Sequence, residues 1–85
     1  MTQLINEEVN VNAFYFRGSE GLKSFPQRIE WNGKFVTFAG EGLRYLVKHG
    51  TQLVQLFDMS DGQDLYRLRT DGSHWTLVGI KGGVR

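Results

Sequence analysis

The stretch Leu65-Tyr66-Arg67-Leu68-Arg69-Thr70-Asp71-Gly72-Ser73-His74-Trp75-Thr76-Leu77-Val78-Gly79-Ile80 reads as one antiparallel hairpin, and that reading decides the fold. β-rich segments flank Asp71-Gly72, a pair suited to turns whose central residues need positive φ. A two-residue turn there sets Leu68 opposite Trp75 and Tyr66 opposite Leu77. The other face then carries Arg69 with His74 and Arg67 with Thr76. A half-buried antiparallel sheet divides its side chains between two faces in this way.

The same signal returns at Asn32-Gly33, His49-Gly50 and Asp61-Gly62, with a further turn at Gly40-Glu41-Gly42. Turns roughly 8 to 12 residues apart with β-rich segments between them are the pattern of a small barrel or sandwich. The strands expected are Val9–Arg17, Gln27–Trp31, Lys34–Ala39, Leu43–Lys48, Gln52–Met59, Leu65–Thr70 and His74–Ile80. Gly18–Ser24 reads as a loop, Phe25-Pro26 as the lead into the second strand, and Lys81–Arg85 as a frayed tail. The fold class is therefore all-β, an antiparallel meander of six to seven strands forming a small barrel or a two-layer sheet. A short helix over residues 41–49 competes, because Leu43, Leu46 and Val47 also fit helical spacing ahead of Gly50. The alternation of Tyr45 and Val47 with Arg44 and Lys48 favours a strand.

Turn lengths set registers, and registers set faces. A two-residue turn at Asn32-Gly33 pairs Trp31 with Lys34, Ile29 with Val36 and Gln27 with Phe38. One at His49-Gly50 pairs Tyr45 with Val54 and Leu43 with Leu56. A three-residue loop, Asp61-Gly62-Gln63, pairs Leu56 with Leu68 and merges these faces into a single core. The expected core is then Ile29, Trp31, Val36, Phe38, Leu43, Tyr45, Val47, Val54, Leu56, Tyr66, Leu68, Trp75 and Leu77. Outside it, Arg44, Gln55, Arg69 and His74 form one row, with Phe57, Arg67 and Thr76 beside them. An apolar patch of Phe57, Met59, Leu65, Val78 and Ile80 adjoins that row. Three things could cover it: the N-terminal segment (Leu4, Ile5, Phe14, Phe16), a curl of the sheet, or another chain.

With 85 residues the chain makes one domain, 1–85, without cysteine to staple it or to ligate a metal through thiolate. Six Phe, three Tyr and two Trp supply the apolar area instead. Ten basic and nine acidic residues leave a formal charge of +1, weak for a nonspecific nucleic-acid binder. The start of the chain has neither the basic nor the apolar region of a signal peptide, and no apolar run is long enough for a membrane helix. A soluble, cytoplasmic protein is the expectation.

Chemistry-bearing motifs are few. His49 and His74 are far apart, no acidic cluster has ligand spacing, and Asp58–Asp64 lacks the later glutamate of a calcium loop. No serine sits in a nucleophile elbow, and neither glycine pair continues into a phosphate loop. No catalytic residue, metal site or cofactor is expected. The one constellation with recognition chemistry is Arg44, Gln55, Phe57, Arg67, Arg69 and His74, since arginine forks bind carboxylate or phosphate and an aromatic can stack. The expected function is a noncatalytic binding or protein-interaction module, with a protein partner or a second copy of the chain. Single-stranded nucleic acid or another polyanion on the basic face is the alternative, and a small hydrolase ranks below both. The pattern Trp31-Asn32-Gly33-Lys34-Phe35, Tyr66-Arg67-Leu68 and Asp71-Gly72-Ser73-His74-Trp75-Thr76-Leu77 resembles small bacterial all-β domains of unknown function over roughly residues 25–80. That resemblance implies no activity and carries over no functional residue.

Overall fold

A computed structural model describes residues 2–17, 23–40 and 42–83, with seven strands. They are β1 (Thr2–Arg17), β2 (Lys23–Trp31), β3 (Lys34–Thr37), β4 (Leu43–His49), β5 (Gln52–Ser60), β6 (Leu65–Thr70) and β7 (Trp75–Lys81). All pair antiparallel in one sheet, in the order β3-β2-β1-β7-β6-β5-β4, with β3 and β4 as its two edges. The sheet is not closed into a barrel. Leu43–His49 is a strand and not a helix, pairing with β5 from Leu43 opposite Asp58 to His49 opposite Gln52. The loop expected over Gly18–Ser24, the middle of the turn at Gly40-Glu41-Gly42 and the last two residues lie partly or wholly outside the described residues.

β1 turns the sheet into two layers. Its first half, Thr2 to Val9, pairs with β7, and its second half, Asn10 to Arg17, pairs with β2. It starts well before the expected Val9. Asn6 sits at φ 53° where the β1–β7 register shifts between Leu4 and Glu7, a left-handed conformation that asparagine tolerates better than most residues. β2 also begins early and contains Pro26. β3 covers only Arg28 to Trp31, so Pro26 has a neighbour on one side only and no ladder bond is lost on the other.

The fold-over brings β2 across β5. Phe25 meets Phe57 edge-on at 5.8 Å between ring centroids, and Phe38 meets Tyr66 at 5.4 Å. Val9, Ile29, Met59, Leu68 and Leu77 complete the buried core, with Trp31, Val36 and Trp75 packed against it. A backbone bond from Ala39 N–H to Ser60 C=O, 2.8 Å, ties the chain after β3 to the end of β5. So the curl of the sheet buries Phe57 and Met59, and Ile5 of the N-terminal segment packs against the same core.

The loops correct the expected faces. The turn at Asn32-Gly33 has the two-residue register, with Trp31 opposite Lys34. The β6–β7 loop spans four residues, so Thr70 faces Trp75, Leu68 faces Leu77 and Arg69 faces Thr76, not His74. The β4–β5 turn falls at Gly50-Thr51, shifting the register by two, so Tyr45 faces Leu56. Neither loop length moves a side chain to the other face, though a register shift between Arg67 and Leu68 sets Ile80, expected outside, opposite Tyr66 and against the core. The β5–β6 loop does. It too spans four residues, with Ser60 opposite Leu65, so Phe57, not Leu56, faces Leu68. An odd slip exchanges the two faces of a strand. Leu43, Tyr45, Val47, Val54 and Leu56, expected in the core, point outward, while Phe57 and Met59 point in.

Candidate functional site

The two four-residue loops are chemical copies. Asp61 Oδ1 accepts hydrogen bonds from the N–H groups of Gln63 and Asp64, 2.9 and 2.8 Å, while Ser60 Oγ accepts from Gly62 N–H at 3.0 Å. Asp71 Oδ1 does the same for Ser73 and His74, 2.8 and 3.0 Å, while Thr70 Oγ1 accepts from Gly72 N–H at 3.0 Å. A hydroxyl residue, then Asp-Gly, then two more residues is thus one local unit used twice. The repeat was present in the sequence as Ser60-Asp61-Gly62 and Thr70-Asp71-Gly72, and it is the signal that would have set both loop lengths.

These loops split the expected site. Arg44, Gln55 and Phe57 lie on the face turned toward the second layer, and Arg67 and Arg69 lie on the opposite one. Phe57 is 2% exposed and belongs to the core. Arg44 overhangs the layer edge and donates from Nε to Gln55 Oε1 at 2.9 Å. His74 sits in the β6–β7 loop, its Nδ1 3.1 Å from Glu8 Oε2, with both side chains well exposed. The row of four is not a row.

A different surface takes its place on the outer face of β4 to β7. One cross-strand line runs Tyr45, Leu56, Arg69, Thr76, and the next runs Leu43, Asp58, Arg67, Gly79. Arg67 closes a two-pronged ion pair on buried Asp58, Nε to Oδ1 at 2.7 Å and the terminal nitrogen to Oδ2 at 2.8 Å. Its guanidinium also lies 5.8 Å from the centre of the Tyr45 ring. The hydrogen bonds that Arg67 donates to Asp58 raise the Arg67 pKa despite partial burial, so the fork is fixed in charge and direction. Arg69 is exposed and has no ion pair among the described residues. A shallow depression lined by Val47, His49, Val54, Leu56, Arg67, Arg69 and Val78 joins the two lines.

β4 stands out within this surface. All seven of its residues are exposed. Leu43, Tyr45 and Val47 lie on the outer face, and Leu46 and Leu53 on the overhanging inner one. Leu43 is 60% exposed, and Leu46 and Leu53 are each 56% exposed. Among the described residues no group of three or more His, Asp or Glu converges as a metal site, and no helix is long and apolar enough to cross a membrane. No family model, curated protein or solved structure matches the chain.

Proposed function

We propose that this chain is a noncatalytic protein-interaction module whose contact surface is β4 with the adjoining outer face. The observation that carries the reading is β4 itself, a strand exposed along its whole length whose outer face is the apolar line Leu43, Tyr45 and Val47, with Leu46 between Arg44 and Lys48 on the other face. A solvated edge strand normally carries polar residues, and a cluster of large apolar side chains around one marks a contact site. The fixed Arg67 fork and the Tyr45 ring add a rigid polar and aromatic anchor beside the apolar line.

The polyanion reading has less support. Its cationic row is divided between two faces, and the Arg67 fork is already closed on Asp58.

Panning a displayed library of random linear peptides against the immobilised protein tests the proposal. Enriched binders should lose at least about tenfold in affinity on the triple variant Leu43→Ser, Tyr45→Ser, Val47→Ser. These three side chains are exposed, so the variant should keep the amide NMR spectrum of a folded sheet. Binders indifferent to the triple change, or no enrichment at all, would overturn the reading.

A further inference from the structure

We infer that the partner is an extended chain segment alternating apolar with acidic side chains, which adds to the free edge of β4 as an eighth strand. The inference rests on the interaction reading above and names its ligand class.

Three observations converge on it. β4 has β5 on one side only, so among the described residues the backbone N–H and C=O groups on its other side have no strand to pair with. Seven residues from Leu43 to His49 run along that edge with no proline and no register shift against β5. Proline and bulges are the usual blocks to strand addition. Next, the two faces of the edge differ: Leu43, Tyr45 and Val47 line the outer one, while Arg44 and Lys48 flank Leu46 on the inner one, so an added strand alternating apolar with acidic side chains matches both. Last, the charge has one sign. Between Gly42 and Phe57 the sequence holds Arg44, Lys48 and His49 and no acidic residue.

The charge also decides between occupants. Two copies of β4 placed edge to edge would line up Arg44 and Lys48 of each along one seam, and like charges across a strand pair destabilise it. The same cations that deter a second copy attract an acidic strand. A flexible polyanion would satisfy the charge but leave the backbone edge and the apolar side chains unused.

The probe is a capped seven-residue peptide alternating glutamate with valine, mixed with the intact protein. On binding, amides along β4 should gain at least about tenfold protection from hydrogen exchange. Affinity should fall at least about tenfold with Arg44→Glu plus Lys48→Glu, and likewise when alternate peptide amides are N-methylated. Equal binding by a lysine–valine peptide, or binding that survives N-methylation, overturns strand addition by an acidic segment. So does sedimentation of the protein alone as a dimer that Arg44→Glu does not weaken, since that gives the edge to a second copy. If the probe fails while panned peptides still depend on Leu43, Tyr45 and Val47, this inference falls and the interaction reading stands. If the panned peptides ignore those residues, the reading itself falls.

Discussion

Asp61 holds its loop through one carboxylate that accepts from two backbone N–H groups and from the Tyr66 hydroxyl at 3.1 Å. Burial pushes its pKa up, but the N–H groups of Asp64 and Gln63 and the Tyr66 hydroxyl outweigh that, so it lies below the ordinary 3.8. A carboxylate lowered in the folded state stabilises above its unfolded value, and the contribution is lost as pH falls through the folded one. Tyr66 shifts the other way. Burial, the bond to Asp61 and the charges of Asp61 and Asp64 raise it from 10.0 to about 12. Its stabilising share is therefore full below pH 10 and lost as pH rises toward about 12. Urea unfolding of wild type and Tyr66→Phe across pH 9 to 12 should show a steeper alkaline loss in the wild type, by on the order of 2 kcal/mol. Parallel curves would refute the coupling. Arg67 is a second test at this scale. Arg67→Ala leaves the Asp58 carboxylate buried without its fork, and about 1–3 kcal/mol of stability should go with it, read by urea denaturation. A loss below about 0.5 kcal/mol would mean that water replaces the fork at little cost.

The elements depend on turn chemistry more than on their own strand propensity. Since the 60–64 and 70–74 units bond alike, replacing Gln63-Asp64 by Ser-His should change stability by less than about 1 kcal/mol. Deleting Gln63 should unfold the domain, because it forces the odd slip that sends Phe57 and Met59 outward; circular dichroism separates the two outcomes. Gly42 is a further constraint. A Cβ there would run into the Asp58 carbonyl oxygen and lie 3.0 Å from Met59 Sδ, so Gly42→Ala should cost more than about 2 kcal/mol by thermal melting. Seven strands were legible in the sequence, because alternation and glycine turns are local signals. Leu65–Thr70 was legible to the residue. The core was half legible: Ile29, Phe38, Tyr66, Leu68 and Leu77 were found, while Val9, Phe25, Phe57 and Met59 were not. Val9 and Phe25 are buried by the fold-over of β1 and β2, which no local pattern encodes. Phe57 and Met59 were missed through one residue of loop length, since Val54 and Leu56 are as apolar as they are and either pair can fill a core. The candidate site fell with them. Arg67 and Arg69 share a face in any register, but whether Arg44 or Tyr45 joins them depends on that same loop.

For the whole molecule, one long strand shared by two layers leaves the two halves unequally covered. The β1–β2–β3 layer lies over β5 to β7, β4 projects past it, and Leu43, Tyr45, Leu46, Val47 and Leu53 are left in solvent. The net charge of +1 hides a local imbalance, because Leu43–Leu56 carries Arg44, Lys48 and His49 and no acidic residue. The interaction reading and the acidic-strand inference both depend on this orientation of β4 and β5. The chain has no cysteine, so single introduced thiols report it cleanly. Under native conditions, Val47→Cys should react with a maleimide close to the rate of a free thiol, and Met59→Cys at least about a hundredfold more slowly, since it must wait for the sheet to open. If Met59→Cys reacts as fast as Val47→Cys while both variants remain folded, the faces of β5 are reversed and the outer apolar surface does not exist.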